Sequence, residues 1–153
     1  MKRSLPWVLV IAQFALLAGL AFVPQNSLWP VGTPALIGAI VLVVAGGVIA
    51  LLGARGLGAA LTATPVPKEG SQLVTTGIYS LVRHPIYTGL LVVGLGLVLL
   101  GSSVLHIVLW FALLALLAVK ARWEERMLAA THTDYAAYAA ATGRFVPGIG
   151  RIR

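Results

Sequence analysis

Two clusters of polar side chains in this sequence could bind a charged ligand. The first contains Arg83, His84 and Tyr87, and the second is the acidic pair Glu124 and Glu125. Arginine, histidine and tyrosine suit a ligand carboxylate, whereas glutamates suit hydroxyl or ammonium groups. Both clusters border apolar stretches, where polar side chains lose hydration and are seldom kept without a partner. We therefore predict a polar ligand site at a membrane face.

The elements that position these clusters are membrane helices. Of the 153 residues, 59% are hydrophobic and 10% are charged, and the mean hydropathy is +0.98. These values are typical of an integral membrane protein and predict an all-α bundle. We expect one domain, 1–153, with a C-terminal cytoplasmic amphipathic helix over 134–142 and four transmembrane spans. The predicted spans are Leu5 to Val23, Ala35 to Leu52, Tyr87 to Leu100 and Val104 to Val119.

The first apolar segment also resembles a signal peptide, because Lys2 and Arg3 precede it. It is longer than the usual hydrophobic region of such a peptide, and no clear cleavage site follows. We expect it to be kept as a span.

Charge placement predicts the orientation of these spans. All eleven Lys and Arg residues fall on one side of the four-span arrangement. Because basic residues stay on the cytoplasmic side, we expect both termini and the site to face the cytoplasm, in the cell membrane. The net charge of +7 then indicates contact with anionic membrane lipids and not with nucleic acid. The lack of Cys and the scattered His residues predict no metal site.

Helix geometry predicts that the two polar clusters meet. A helix from Pro85 to Gly101 would cross about 25 Å at 1.5 Å per residue. A second helix, beginning at Val104, would return to the same level after about 17 residues. If the two helices pair as an antiparallel hairpin, the two glutamates stand close to the histidine.

The combined pattern resembles a known family. The run Arg83 to Gly89, a hydrophobic hairpin, and then Glu124-Glu125 are similar to the signature of the isoprenylcysteine carboxyl methyltransferases and their phospholipid N-methyltransferase relatives. The resemblance covers a core of residues 73–147. It implies a cytoplasm-facing pocket for S-adenosylmethionine, with a lateral opening for a lipid-like or prenylated acceptor. Methyl transfer from a sulfonium needs positioning and desolvation more than a strong acid or base.

The resemblance and the local charge together suggest roles for individual residues. The expected cofactor-binding residues are Tyr79, Arg83, His84, Pro85, Tyr87, Gly89 and Glu124. The expected catalytic residues are Glu125, Arg122 and Arg126. The expected substrate-binding residues are Tyr138 and Arg144. The excess of arginine would attract an anionic acceptor, and the first candidate is therefore an isoprenylcysteine-type carboxylate.

Other functions stay open at this point. One is amine methylation of a phospholipid. A second is an enzyme similar to the membrane sterol reductases, in which Arg122, Arg126 and Arg144 would bind the 2′-phosphate of NADPH. A third is a non-enzymatic lipid-binding subunit.

The same residues also have structural interpretations. Tyr79 and Tyr87 could be interfacial aromatic residues. Glu124 could pair with Lys120, or Glu125 with Arg122, on a solvated helix face, and we expect this for one of the two glutamates.

Overall fold

The computed structural model of the protein describes residues 5–62, 64, 66, 70 and 72–152. Two short 3-10 helices, Gly58–Ala60 and Gly77–Ser80, accompany five α-helices. The α-helices are α1 (Leu5–Phe22), α2 (Thr33–Leu57), α3 (Pro85–Gly101), α4 (Val104–Thr131) and α5 (Tyr135–Ala141). Within the described residues, β-type pairing is limited to two isolated bridges. The predicted all-α class is confirmed.

Some predictions concern residues outside this description. They are those on four of the eleven basic residues that predict the orientation, namely Lys2, Arg3, Lys68 and Arg153.

The long helices are built to contact lipid. Three are long and apolar enough to cross a membrane, namely α1, α4 and the stretch Thr33–Ala60 that begins with α2. Helix α3 is apolar but shorter, at 17 residues. Large apolar side chains such as Ile11, Phe14 and Phe111 point outward, which would be unfavourable in water. The chain is therefore a multi-pass membrane protein.

Leucines join three of the helices in a buried core. Leu20 of α1, Leu91 of α3, and Leu113 and Leu117 of α4 form one cluster. This core holds α1 and α3 against α4, so that the polar end of α4 has a defined environment.

Helices α2 and α3 make the most extensive contact in the structure, and glycines allow it. A Cβ atom on Gly89 would lie 2.5 Å from the Gly46 carbonyl oxygen and 2.7 Å from the Ala50 nitrogen. A Cβ atom on Gly46 would lie 2.6 Å from the Gly89 carbonyl oxygen. Small residues let helix backbones approach closely in membranes, so these glycines set the distance between α2 and α3.

A tight turn joins α3 to α4, as predicted. Ser102 adopts a left-handed conformation with φ of 43°, and Ser103 caps α4 by accepting a hydrogen bond from the His106 amide at 3.2 Å. The Trp29 indole donates to the Leu99 carbonyl at 3.0 Å. His106 and Trp29 therefore make structural contacts at this turn. The turn also returns α4 antiparallel to α3, which brings its second half back to the start of α3.

Candidate active site

Three segments meet at the polar end of the bundle: the start of α3, the second half of α4, and the chain that follows α5. The Arg83 amide donates to the Gly143 carbonyl at 2.8 Å, and the His84 amide donates to the Arg144 carbonyl at 3.1 Å. The Thr88 hydroxyl donates to the Phe145 carbonyl at 2.8 Å. These bonds fix the C-terminal segment across the start of α3.

Glu125 is the centre of a buried ionic cluster. Its Oε1 accepts hydrogen bonds from Arg83 Nε at 3.0 Å and Nη2 at 2.9 Å. Arg144 donates to both carboxylate oxygens, at 3.0 Å to Oε1 and 2.7 Å to Oε2. These hydrogen bonds raise the pKa of the Arg144 guanidinium. The Glu125 side chain is only 5% exposed, and it joins α4 to segments on both sides.

Arg83 uses all five of its N–H donors within the protein. Besides the two bonds to Glu125, it donates through Nη1 to the carbonyls of Ala139 and Thr142, and through Nη2 to the Gly150 carbonyl at 2.8 Å. An arginine has five donors, so a ligand could bind this guanidinium only by displacing one of these contacts. The contacts of Arg83 connect α5 and the C-terminal segment to Glu125 of α4.

Glu124 lies in a different environment from its neighbour. The Tyr87 hydroxyl donates to Glu124 Oε2 at 3.1 Å, and His84 Nδ1 lies 3.7 Å from the same oxygen. The Glu124 side chain is 27% exposed. Neither glutamate occupies the solvated face that we expected for one of them, because both contact residues of other segments.

His84 stands between the two carboxylates. Its Nε2 lies 3.2 Å from Glu125 Oε1, and its ring stacks on Tyr87 with centroids 5.3 Å apart. Phe145 contacts the same ring edge-on at 6.0 Å. The predicted convergence of the basic and aromatic cluster with the glutamates is therefore present in the structure.

A cavity of about 190 Å³ opens beside these residues. Its apolar wall includes Leu57, Leu61, Leu73, Ile86 and Leu128. Its polar wall includes Gln13, Tyr79, Arg83, His84, Tyr87, Lys120, Glu124, Tyr135 and Tyr138. A mainly apolar pocket with a few convergent polar groups is typical of a small-molecule site.

The tyrosines of the cavity wall differ in their partners. The Tyr79 hydroxyl donates to the Gly53 carbonyl at 3.1 Å, and the Tyr138 hydroxyl donates to the Tyr79 carbonyl at 2.6 Å. The Tyr135 hydroxyl is buried and has no hydrogen-bond partner among the described residues. Burial raises the pKa of Tyr138 to about 12 and also raises the pKa of Tyr135, so both hydroxyls stay protonated at neutral pH. A buried hydroxyl without a partner costs free energy, and Tyr135 is a residue of the cavity wall.

Lys120 and Gln13 complete the polar wall. Both are buried, and Lys120 Nζ donates to Gln13 Oε1. The same ammonium lies 5.1 Å from the centre of the Tyr87 ring. Helix α1 thus contributes a side chain to the cavity.

Pro85 and Gly89 lie in helix contacts. Pro85 occupies the first turn of α3, as predicted, and its ring faces Gly53 of α2. Gly89 contacts Gly46, which also belongs to α2. Neither residue is in the cavity wall, so the structure does not bring these two predicted cofactor contacts to the site.

Arg122 and Arg126 also lie away from the cavity. Both side chains are exposed, and neither lines the cavity. Each is two residues from Glu124 along α4, which places it about 200° round the helix. The predicted catalytic arginines therefore project from the opposite face. Of the predicted substrate residues, Tyr138 lines the cavity and Arg144 is bound to Glu125.

Sequence reasoning missed several residues of the cavity wall, among them Gln13, Lys120 and Tyr135. Gln13 is a single amide in the apolar run of α1, and Lys120 lies where the apolar part of α4 ends. A polar residue inside a spanning segment is by itself a signal of function.

These features define a multi-pass membrane protein with a buried polar site at one end of its helices. The sequence profile of the phospholipid methyltransferase family matches residues 34–134. This match covers about two thirds of the chain and contains the run Arg83 to Gly89 and both glutamates. The chain belongs to this family, and the predicted kinship is confirmed. Membership indicates a membrane methyltransferase.

A curated relative is the cobalt-zinc-cadmium resistance protein CzcN of Cupriavidus metallidurans. It is 36% identical over 87 residues, which are 56% of this chain and 40% of the relative. The match thus spans about two fifths of that protein. In the part of this chain that the structure describes, no three His, Cys, Asp or Glu side chains are grouped so that they could hold a metal ion.

Proposed function

We propose that the protein transfers a methyl group from S-adenosylmethionine to a lipid-like acceptor within the membrane. The observation that carries the proposal is the cavity lined by Glu124 and by Tyr135, whose hydroxyl has no hydrogen-bond partner among the described residues, in a chain of a methyltransferase family. Within the described residues, Glu124 is a cavity carboxylate that no arginine neutralises.

The residues of the cavity fit this cofactor. When bound, S-adenosylmethionine supplies an activated methyl group on a sulfonium. Glu124 would accept hydrogen bonds from its ammonium or ribose hydroxyls, and Tyr135 would bond to one of its polar groups. Leu73 and Leu128 would contact its apolar surface.

The chain would act by positioning its ligands and excluding water. His84 is held by stacking on Tyr87 and by its contact with Glu125. We propose that Arg83 and Arg144 are positioning residues, because their guanidinium groups hold Glu125 and the C-terminal segment. Such rigidity suits a reaction that depends on alignment and desolvation.

For the acceptor, we propose an isoprenylcysteine-type carboxylate as the first candidate, on the resemblance of the motif. The arginines do not support a carboxylate acceptor, because Arg144 is paired with Glu125 and both Arg122 and Arg126 are exposed away from the cavity. We assign Arg122 and Arg126 to contact with anionic headgroups. The second candidate is a phospholipid amine, which the description of the matching family favours.

A methyl-transfer assay, run with both acceptors in the same detergent, distinguishes the two candidates. Labelled cofactor is offered with a farnesylcysteine analogue and, separately, with phosphatidylethanolamine. Labelling of the amine lipid alone would contradict the carboxylate acceptor and leave the methyltransferase proposal standing.

We also propose four spans, with α3 as the shortest, and a site that faces the cytoplasm. Support comes from the apolar length of the helices and from the basic residues that flank them.

Cofactor binding tests the central proposal. Purified wild-type protein should bind S-adenosylhomocysteine and should not bind NADPH. Tyr135→Phe should weaken S-adenosylhomocysteine binding several-fold without lowering stability, because the hydroxyl has no protein partner to lose. Tyr138→Phe is the matched control, since it removes a hydroxyl that bonds to Tyr79, and it should lower stability by about 1 kcal/mol.

Three outcomes of the cofactor titration would count against the proposal. Binding of NADPH would favour a reductase. Binding of neither compound would favour a non-enzymatic lipid-binding subunit. Unchanged S-adenosylhomocysteine affinity in Tyr135→Phe would show that this hydroxyl does not bind the cofactor.

A further inference from the structure

Lys120 is a buried cation in the cavity wall. Its residue is 3% exposed, although it lies in a helix long and apolar enough to cross a membrane. A charged group in such a place is costly unless it has an anionic partner, and it marks a functional site by default.

Among the described residues, no carboxylate forms a direct ion pair with Lys120, although its charge interacts with that of Glu124 one helical turn away. Its hydrogen bond goes to the neutral amide of Gln13, and its other close contact is the face of the Tyr87 ring. The ion pairs of Glu124 and Glu125 are with arginine and histidine. An ammonium has three donors, and this one borders the cavity.

Gln13 and Tyr87 hold the ammonium in place. Gln13 comes from α1 and Tyr87 from α3, so two helices besides α4 define its position. The hydrogen bond and the cation–π contact offset part of the hydration that the buried ammonium loses, and they fix its position.

Among the described residues, the cavity wall therefore presents one carboxylate, Glu124, and one ammonium, Lys120. The two residues are one helical turn apart on α4, so their side chains lie on the same face. This pair is complementary to a ligand that carries both charges, such as the amino-acid end of the proposed cofactor.

We propose that Lys120, held by Gln13, is the carboxylate-binding residue of this cavity. The proposal rests on the proposed function, because the ligand is a cofactor or acceptor of methyl transfer. The carboxylate could come from the amino-acid end of the cofactor or from the acceptor. In both cases the ligand's carboxylate accepts a charge-assisted hydrogen bond from Nζ.

Two ligands test whether the carboxylate comes from the cofactor, because only one of them carries the amino-acid end. S-adenosylhomocysteine carries the amino-acid end, and 5′-methylthioadenosine lacks it. In Lys120→Met, we expect the affinity for S-adenosylhomocysteine to fall about ten- to a hundredfold. The affinity for 5′-methylthioadenosine should stay unchanged. Gln13→Leu should produce a smaller loss for the first ligand, and Lys120→Arg should restore part of it.

Arg55→Met is the matched control. It removes an exposed cation at the end of α2, and it should leave both affinities unchanged. Melting temperature and gel filtration in detergent establish that each variant is folded. If Lys120→Met does not fold, Gln13→Leu and Lys120→Arg still decide the question through the same two affinities.

The second possible source, the acceptor, is tested by the KM of a farnesylcysteine analogue and of its amide. If Lys120→Met raises the KM of the acid alone and leaves the cofactor affinity unchanged, Lys120 binds the carboxylate of the acceptor. Folded variants with wild-type affinities and wild-type KM would overturn the proposal. Failure of the wild-type protein to bind either nucleoside would instead overturn the proposed function, and with it this inference.

Discussion

Two adjacent glutamates have separate surroundings at the end of α4. Successive residues of a helix point about 100° apart, so Glu125 enters the cluster with Arg83 and Arg144 while Glu124 borders the cavity. The first side chain is 5% exposed and the second 27%. We infer that Glu125 stabilises the fold of the site and that Glu124 binds the ligand.

Substitution of the two glutamates separates these roles. Glu125→Gln should destabilise the protein by about 3–5 kcal/mol, because the buried Arg83 and the partly buried Arg144 lose their counter-ion. Glu124→Gln should change stability by less than about 1 kcal/mol. It should also lower the affinity for S-adenosylhomocysteine about tenfold or more. Denaturant unfolding and ligand titration in the same detergent measure both effects. Small and equal effects of the two substitutions would indicate that both glutamates belong to an ordinary solvated helix surface.

At the scale of elements, the position of α3 depends on its contact with α2. Gly46 and Gly89 meet at backbone distance, and the start of α3 carries His84 and Tyr87 into the site. The sequence predicted a ligand role for Gly89, whereas the structure gives it a packing contact. The distance between the two helices therefore affects the site through the placement of α3.

A pair of alanine substitutions tests this contact. Gly89→Ala should destabilise the protein by at least about 1–3 kcal/mol, because the new methyl group would overlap the backbone of α2. Gly47→Ala is the control, since a Cβ atom there has no neighbour within 4 Å. It should be neutral or stabilising by up to about 1 kcal/mol. Equal thermal stability of the two variants would contradict the close-packed helix pair.

At the scale of the whole molecule, α1 lies outside the part of the chain that matches the family, yet it lines the cavity through Gln13. The core leucines hold α1 against α4. The site therefore depends on the complete bundle, and the arrangement of the helices across the membrane determines which side it faces.

Reporter fusions test the proposed arrangement. A fusion at Asn26 and one after Arg153 should report opposite compartments, with the second in the cytoplasm. The reason is that four spans return the chain to its starting side, where the basic residues lie. Reports from the same compartment would contradict the span count and the cytoplasmic site.

Hydropathy and spacing were enough to predict much of this protein from sequence. A bilayer requires long apolar helices with satisfied backbones, so the helical class and the hairpin of α3 and α4 follow from local composition. The meeting of His84 with the glutamates follows from equal helix rises, since both helices advance 1.5 Å per residue.

Helix rotation and distant contacts were decided only by the tertiary structure. A difference of one residue turns a side chain by about 100°, so packing alone determined that Glu124, and not Arg122, borders the cavity. Three of the five donors of Arg83 bind carbonyls 56 to 67 residues away, which no local pattern in the sequence indicates. Gln13 and Lys120 are 107 residues apart, and no local pattern pairs them. Such contacts arise from the simultaneous packing of all the helices, which composition and spacing do not specify.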